Sequence, residues 1–158
     1  MGGFLNFCVM RLSLLGLGLA ASGLLAACNS NTDFTTTIPN VPVNVQLDLL
    51  DQQNKALRFD NGVVSIPPGS ANGQGGVKGI YVVRQNATSY LAFERNCPYQ
   101  PLNACATVTL DKSSRLFFRD SCCTSQFSLQ GLVTGGPAPR SLRQYSTNLS
   151  GSLLTITN

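Results

Sequence analysis

The sequence predicts an all-β domain, an antiparallel β sandwich or small barrel built from short strands. Three observations predict it. Val41, Val43, Val45, Leu47 and Leu49 alternate with Pro42, Asn44, Gln46 and Asp48, the period of two that marks a strand with one buried face. Further short apolar runs follow, bounded by Gly, Pro, Asn, Asp and Ser, in the even spacing of sandwiches and barrels. Beyond residue 28 no stretch carries the three- and four-residue apolar spacing of an amphipathic helix.

Taken in order, residues 41–49 form the first strand, and Pro42 places it at a sheet edge or at its own start. Residues 51–61 are polar and are expected as a loop or short turn. Residues 63–66 make a brief strand stopped by Pro67-Pro68, and residues 69–76, with four glycines, make a connection. Residues 77–84 and 89–95 form a hairpin across Gln85-Asn86-Ala87-Thr88. Strands at 106–110, 115–119, 142–149 and 152–157 complete the set, with turns at residues 111–114 and at Ser150-Gly151.

The first 27 residues are of a different kind. Met10 and Arg11 begin a short positive start, more usual for a leader than Met1, and residues 12–27 are apolar or small, as in a secretory signal peptide. The run is shorter than the roughly 20 residues a membrane span requires. Leu25-Ala26-Ala27-Cys28 resembles the lipobox of bacterial lipoproteins. That resemblance implies cleavage before Cys28 and lipid on Cys28 as the membrane anchor. Two acyl chains make such anchoring stable, where one is marginal. Residues 28–40, polar and rich in Asn and Thr, are expected as a lipidated tether, and residues 41–158 as one domain.

Composition excludes several functions. Net charge is only +4, without a basic run, so no nucleic-acid partner is indicated. The chain holds no His, which removes Ser-His-Asp triads, Cys-His dyads and imidazole-ligated metals together.

Apart from Cys8 and Cys28, the cysteines are Cys97, Cys105, Cys122 and Cys123. An even number in an exported chain points to two disulfides. Neighbouring α carbons lie about 3.8 Å apart, too close for an ordinary bridge, so Cys122 and Cys123 each pair with the earlier segment, in one of two ways. Zinc on all four meets the same objection, because such sites normally use spaced pairs.

Cys97-Pro98-Tyr99, the run from Asp120 through Cys122, Cys123 and Ser125 to Phe127, and Gly135-Gly136-Pro137-Ala138-Pro139-Arg140 with Leu142 and Tyr145 together resemble a Rieske iron–sulfur domain. In that family two loops at the tip of a β domain supply two Cys and two His to a [2Fe–2S] cluster, beneath a Pro-containing loop. The likeness runs from about Val77 to the C-terminus, and is strongest to small lipoproteins of Bacteroidetes-type bacteria with degenerate copies of the domain. It implies a base of residues 41–94 and 139–158 and a tip of about 95–138. Cys97 then falls on a cysteine ligand position, but Tyr99 and Cys123 fall on the two histidine positions and Asp120 on the second cysteine position. Cys122 matches the family's structural cysteine, with Cys105 as its partner, which leaves Cys97 and Cys123 to pair across the site. A Rieske centre requires two imidazoles on one iron, so no cofactor and no metal are expected.

The remaining candidates have plainer explanations. Tyr99 is expected to pack at the tip with its hydroxyl satisfied, and Asp120 to cap a turn. Ser125 has no base beside it in the sequence, and Arg140 and Arg143 read as exposed charge. Gly75-Gly76 and Gly135-Gly136 precede no helix that would offer its N-terminus to a phosphate. Thiol chemistry at Cys122-Cys123 would require a lowered pKa. The expectation is a non-catalytic binding or structural module of the cell envelope, held to a membrane through Cys28, with a possible envelope protein as partner. Electron transfer through a [2Fe–2S] cluster and thiol–disulfide exchange are the alternatives.

Overall fold

The computed structural model describes residues 37–70 and 74–158. The leader, the motif at Cys28 and the tether as far as residue 36 lie outside the described residues. Ten strands are described: β1 (Asn44–Asp48), β2 (Val63–Ile66), β3 (Ile80–Arg84), β4 (Tyr90–Glu94), β5 (Val108–Leu110), β6 (Phe117–Asp120), β7 (Gln126–Ser128), β8 (Val133–Gly135), β9 (Gln144–Ser150) and β10 (Leu153–Thr157). They form a six-stranded sheet in the order β1-β10-β9-β4-β3-β2 and a four-stranded sheet in the order β5-β6-β7-β8. All pairings are antiparallel. The all-β class is therefore as expected.

The base sheet is buried on both sides along β3 and β4, which is why β3 reads Ile-Tyr-Val-Val without polar alternation. Successive side chains of a strand point to opposite faces. Ile80 and Val82 join Val45, Leu57, Ala92, Leu154 and Ile156 in one core. Tyr81 and Val83 join Phe93 and the tip residues Val108, Phe118, Phe127 and Leu129 in the other. Each fully buried side chain of this size contributes about 1.5–3 kcal/mol through water exclusion. The tip is also fastened by its polar edge. The Leu110 amide donates to the Tyr81 hydroxyl at 3.0 Å, the Tyr81 and Phe118 rings stack at 4.8 Å, and the Arg95 guanidinium lies over Tyr81.

Four features depart from expectation. Residues 51–61 contain a 3-10 helix, Gln52–Arg58, whose Leu57 is buried in the base core. Its Asn54 side chain donates to the Asp48 carbonyl, fastening it to the end of β1. Strands β7 and β8 were not foreseen; at three residues each they are too short to show a period. Finally, Ile38 and Pro39, expected within the tether, are held to the domain: Ile38 is buried and the Arg143 guanidinium donates to the carbonyls of Ile38 and Pro39. No helix among the described residues is long and apolar enough to cross a membrane.

Candidate functional site at the tip

Three connections meet at the end of the tip. The first runs from β4 to β5, the second from β6 to β7, and the third from β8 to β9. Glu94, the last residue of β4, anchors the first from beneath. Its fully buried carboxylate accepts the amides of Val77, Lys78 and Asn96 and the Tyr145 hydroxyl, at 2.7–3.0 Å. Four donors offset the cost of burying a charge. Gly76 makes this possible: its φ is +78°, and a Cβ there would lie 2.7 Å from the Glu94 Oε2. Burial, then Glu94 itself, push the Tyr145 phenol well above its usual range.

Lys78 laces the first connection. Its ammonium donates to the carbonyls of Asn103, Ala104 and Ala106. Its pKa is lowered, chiefly by desolvation, against the opposing charges of Asp120, Cys97 and Glu94. Neither Lys78 nor Glu94 was singled out from the sequence. Nothing in their neighbourhood along the chain distinguishes them, since their partners come from distant segments.

The second connection is organised by two short polar side chains. Asp120 is fully buried at the end of β6. Its Oδ1 accepts the amides of Cys122 at 2.7 Å and Cys123 at 3.4 Å, the turn-capping role expected of it, while its Oδ2 has no partner. Ser125 is also fully buried. Its hydroxyl accepts the Ala138 amide at 3.0 Å and lies 3.1 Å from the Cys123 sulfur, so it joins the third connection to the second. Gly136 allows that approach: with φ at +84°, its Cβ would fall 2.5 Å from the Ser125 Cα. Gln100 in the first connection and Thr124 in the second also hold positive φ, at 48° and 62°. Strained backbone of this kind persists where surrounding contacts over-determine it.

Cys105 and Cys122 are bonded, S–S 2.04 Å, with α carbons 5.7 Å apart. This joins the first two connections, by the pairing the resemblance implies. Cys97 and Cys123 are not bonded: their sulfurs lie 3.6 Å apart and both are free thiols. The bridge expected between them is present as a contact only. Burial pushes the Cys97 thiol far above its usual range, with Asp120 and Cys123 adding to the rise and the Tyr99 amide opposing it. A thiol so shifted is a poor nucleophile at neutral pH.

Of the four positions aligned with cluster ligands, the structure gathers three. Donor atoms of Cys97, Asp120 and Cys123 all lie within 4.8 Å of one another. Tyr99 stands beside them, with Cys122, Cys123, Asp120, Asn103 and Pro137, on the wall of a cleft of about 320 Å³. Arg143 is taken up by the carbonyls of residues 38 and 39, and Arg140 is exposed.

This donor set does not fit a Rieske [2Fe–2S] group. That centre takes two thiolates and two imidazoles, and the sequence has no His. An all-cysteine version fits no better, because two of the four cysteine sulfurs nearby are committed to the disulfide.

No family model matches the chain, and no curated protein matches it. Among solved structures, the chain is similar to the cyanobacterial plasma membrane Rieske protein PetC3 from Synechocystis PCC 6803, with 26% identity and a TM-score of 0.48, over 75% of this chain and 100% of that one.

Proposed function

We propose that this chain is an exported, lipid-anchored envelope protein of Rieske type that has given up its iron–sulfur cluster and works as a non-catalytic binding or structural module. One observation carries the reading. The positions that align with cluster ligands hold Cys97, Tyr99, Asp120 and Cys123, in a chain without His. The surrounding scaffold remains in order: two loops joined by the Cys105–Cys122 bridge, and a Pro-containing loop fastened over them through Ser125. The tip thus keeps the shape of a cluster-binding end without the ligands that give the cluster its potential. Its cleft, walled by Tyr99 and Pro137, is the surface offered to an envelope partner. The anchor rests on Leu25-Ala26-Ala27-Cys28. A catalytic thiol is disfavoured by the raised pKa of Cys97.

Two measurements test this reading. Cys28→Ala should move the protein from the membrane fraction to the soluble fraction, and continued membrane residence would contradict lipid anchoring. Dithionite added to protein purified anaerobically from its own membranes should leave the visible and electron paramagnetic resonance spectra blank. A reduced-cluster signal would instead establish the electron carrier.

A further inference from the structure

We infer that Cys97, Cys123 and Asp120 form a site for a single zinc ion, with its fourth coordination position open to the tip cleft. The inference rests on the reading above only in requiring that no iron–sulfur cluster fills the tip. Its first support is distance. Two thiolates held about 2.3 Å from one tetrahedral ion stand about 3.8 Å apart, and the sulfurs of Cys97 and Cys123 lie 3.6 Å apart. A carboxylate oxygen of Asp120 completes a triangle whose members are all within 4.8 Å.

The second support is an unmet valence. Asp120 is fully buried, yet its Oδ2 has no hydrogen-bond partner. A buried carboxylate oxygen left unpaired is costly, and a cation on that oxygen removes the cost. The Oδ1 of the same group is held by the Cys122 and Cys123 amides, which fixes the carboxylate.

The outer contacts are those of a metal site. The Ser125 hydroxyl lies 3.1 Å from the Cys123 sulfur. Such groups orient ligands and tune them. Two thiolates and a carboxylate carry three negative charges, a divalent ion leaves one, and the Lys78 ammonium is close enough to feel Asp120 and Cys97.

Two thiolates with one carboxylate suit borderline-soft zinc better than the all-oxygen preference of magnesium or calcium. Each thiol gives up its proton to solvent as its sulfur takes the ion.

The test uses the full chain, reduced and stripped of metal with a chelator, then titrated with zinc against a chromophoric competitor. Cobalt(II) serves as a spectral probe. One ion per chain is expected, with a thiolate-to-cobalt charge-transfer band. Cys123→Ala should weaken binding by about a hundredfold or more, and Ser125→Ala by about tenfold. Asp120→Asn should weaken it too. That variant also loses part of a turn cap, so Cys123→Ala with an unchanged far-ultraviolet spectrum is the decisive substitution. Absence of binding, binding indifferent to Cys97→Ala and Cys123→Ala, or a Cys97–Cys123 disulfide in the natively matured chain would overturn the inference. Native protein carrying iron at the tip would overturn this inference and the proposed function together, whereas iron-free protein that ignores zinc would overturn this one alone.

Discussion

The base and the tip of this domain are held together by different physics. The base is a six-stranded sheet in which β3 and β4 are buried on both faces. Its stability lies in ladder hydrogen bonds and in burial of Ile80, Val82, Ala92, Leu154 and Ile156. The tip has four strands of three or four residues, and its end is irregular chain. There the connections are held by one covalent bridge, by Glu94, Lys78 and Asp120, which each serve two or three main-chain groups, and by Ser125, which joins the Ala138 amide to the Cys123 sulfur. A core of aliphatic side chains tolerates conservative exchange, whereas a buried carboxylate or hydroxyl with fixed partners does not.

The largest expected effect joins the two regions. Phe93 of β4 is buried in the shared core, and Gly131 of the tip rests on its ring. Phe93→Ala should cost about 3–5 kcal/mol, read as a lower urea midpoint with base and tip probes still coincident. Separate transitions would show that the regions fold independently.

Reduction of Cys105–Cys122 comes next. A bridge of sequence separation 17 is worth about 3 kcal/mol, and its loss should fall on the tip. Amides of Cys97, Ala106 and Cys122 should exchange faster with solvent, while those of Val82 and Ile156 keep their relative order. Uniform acceleration in both sheets would erase the distinction drawn above.

Alkaline pH should give a smaller loss. The Cys97 thiol and Tyr145 phenol are both raised, chiefly by burial, so the folded chain keeps protons that the unfolded chain releases. This stability is complete below the ordinary thiol value of about 8.5 and is lost as pH rises through the folded values. Urea midpoints should fall between neutral and alkaline pH, and Tyr145→Phe should flatten part of that slope; an unchanged slope would remove Tyr145 from the account. Asp111, on the exposed turn after β5, should matter least. Its carboxylate is held below the usual range by the Ser114 amide and hydroxyl and the Ser113 amide, so its contribution is present above about pH 3.9 and disappears as pH falls. Asp111→Asn should lower the urea midpoint slightly above about pH 4 and flatten the acid limb of the stability profile.

How much of this was legible in the sequence follows the same division. Strand β1 shows itself because Val45 and Leu47 alternate with polar neighbours, and β3 and β4 because their runs are apolar and end at turn residues. The 3-10 helix escaped notice because Asn54 and Leu57 are its only buried residues, too few to make a stripe. Ile38 lay hidden in a polar stretch, and its burial depends on a contact with Arg143 far along the chain. The convergence of Cys97, Asp120 and Cys123 was foreseeable only through resemblance to a known loop pattern. Glu94 and Lys78 offered no signal, because all but one of their partners are main-chain groups, whose identity leaves no trace in residue types.

The ratio of iron to protein in material matured in its own membrane, and purified without added metal or chelator, bears most directly on the central claim. The account predicts iron far below one atom per chain and no visible absorption. Two irons per chain would contradict it, and would require a ligand set that Cys97, Tyr99, Asp120 and Cys123 do not resemble.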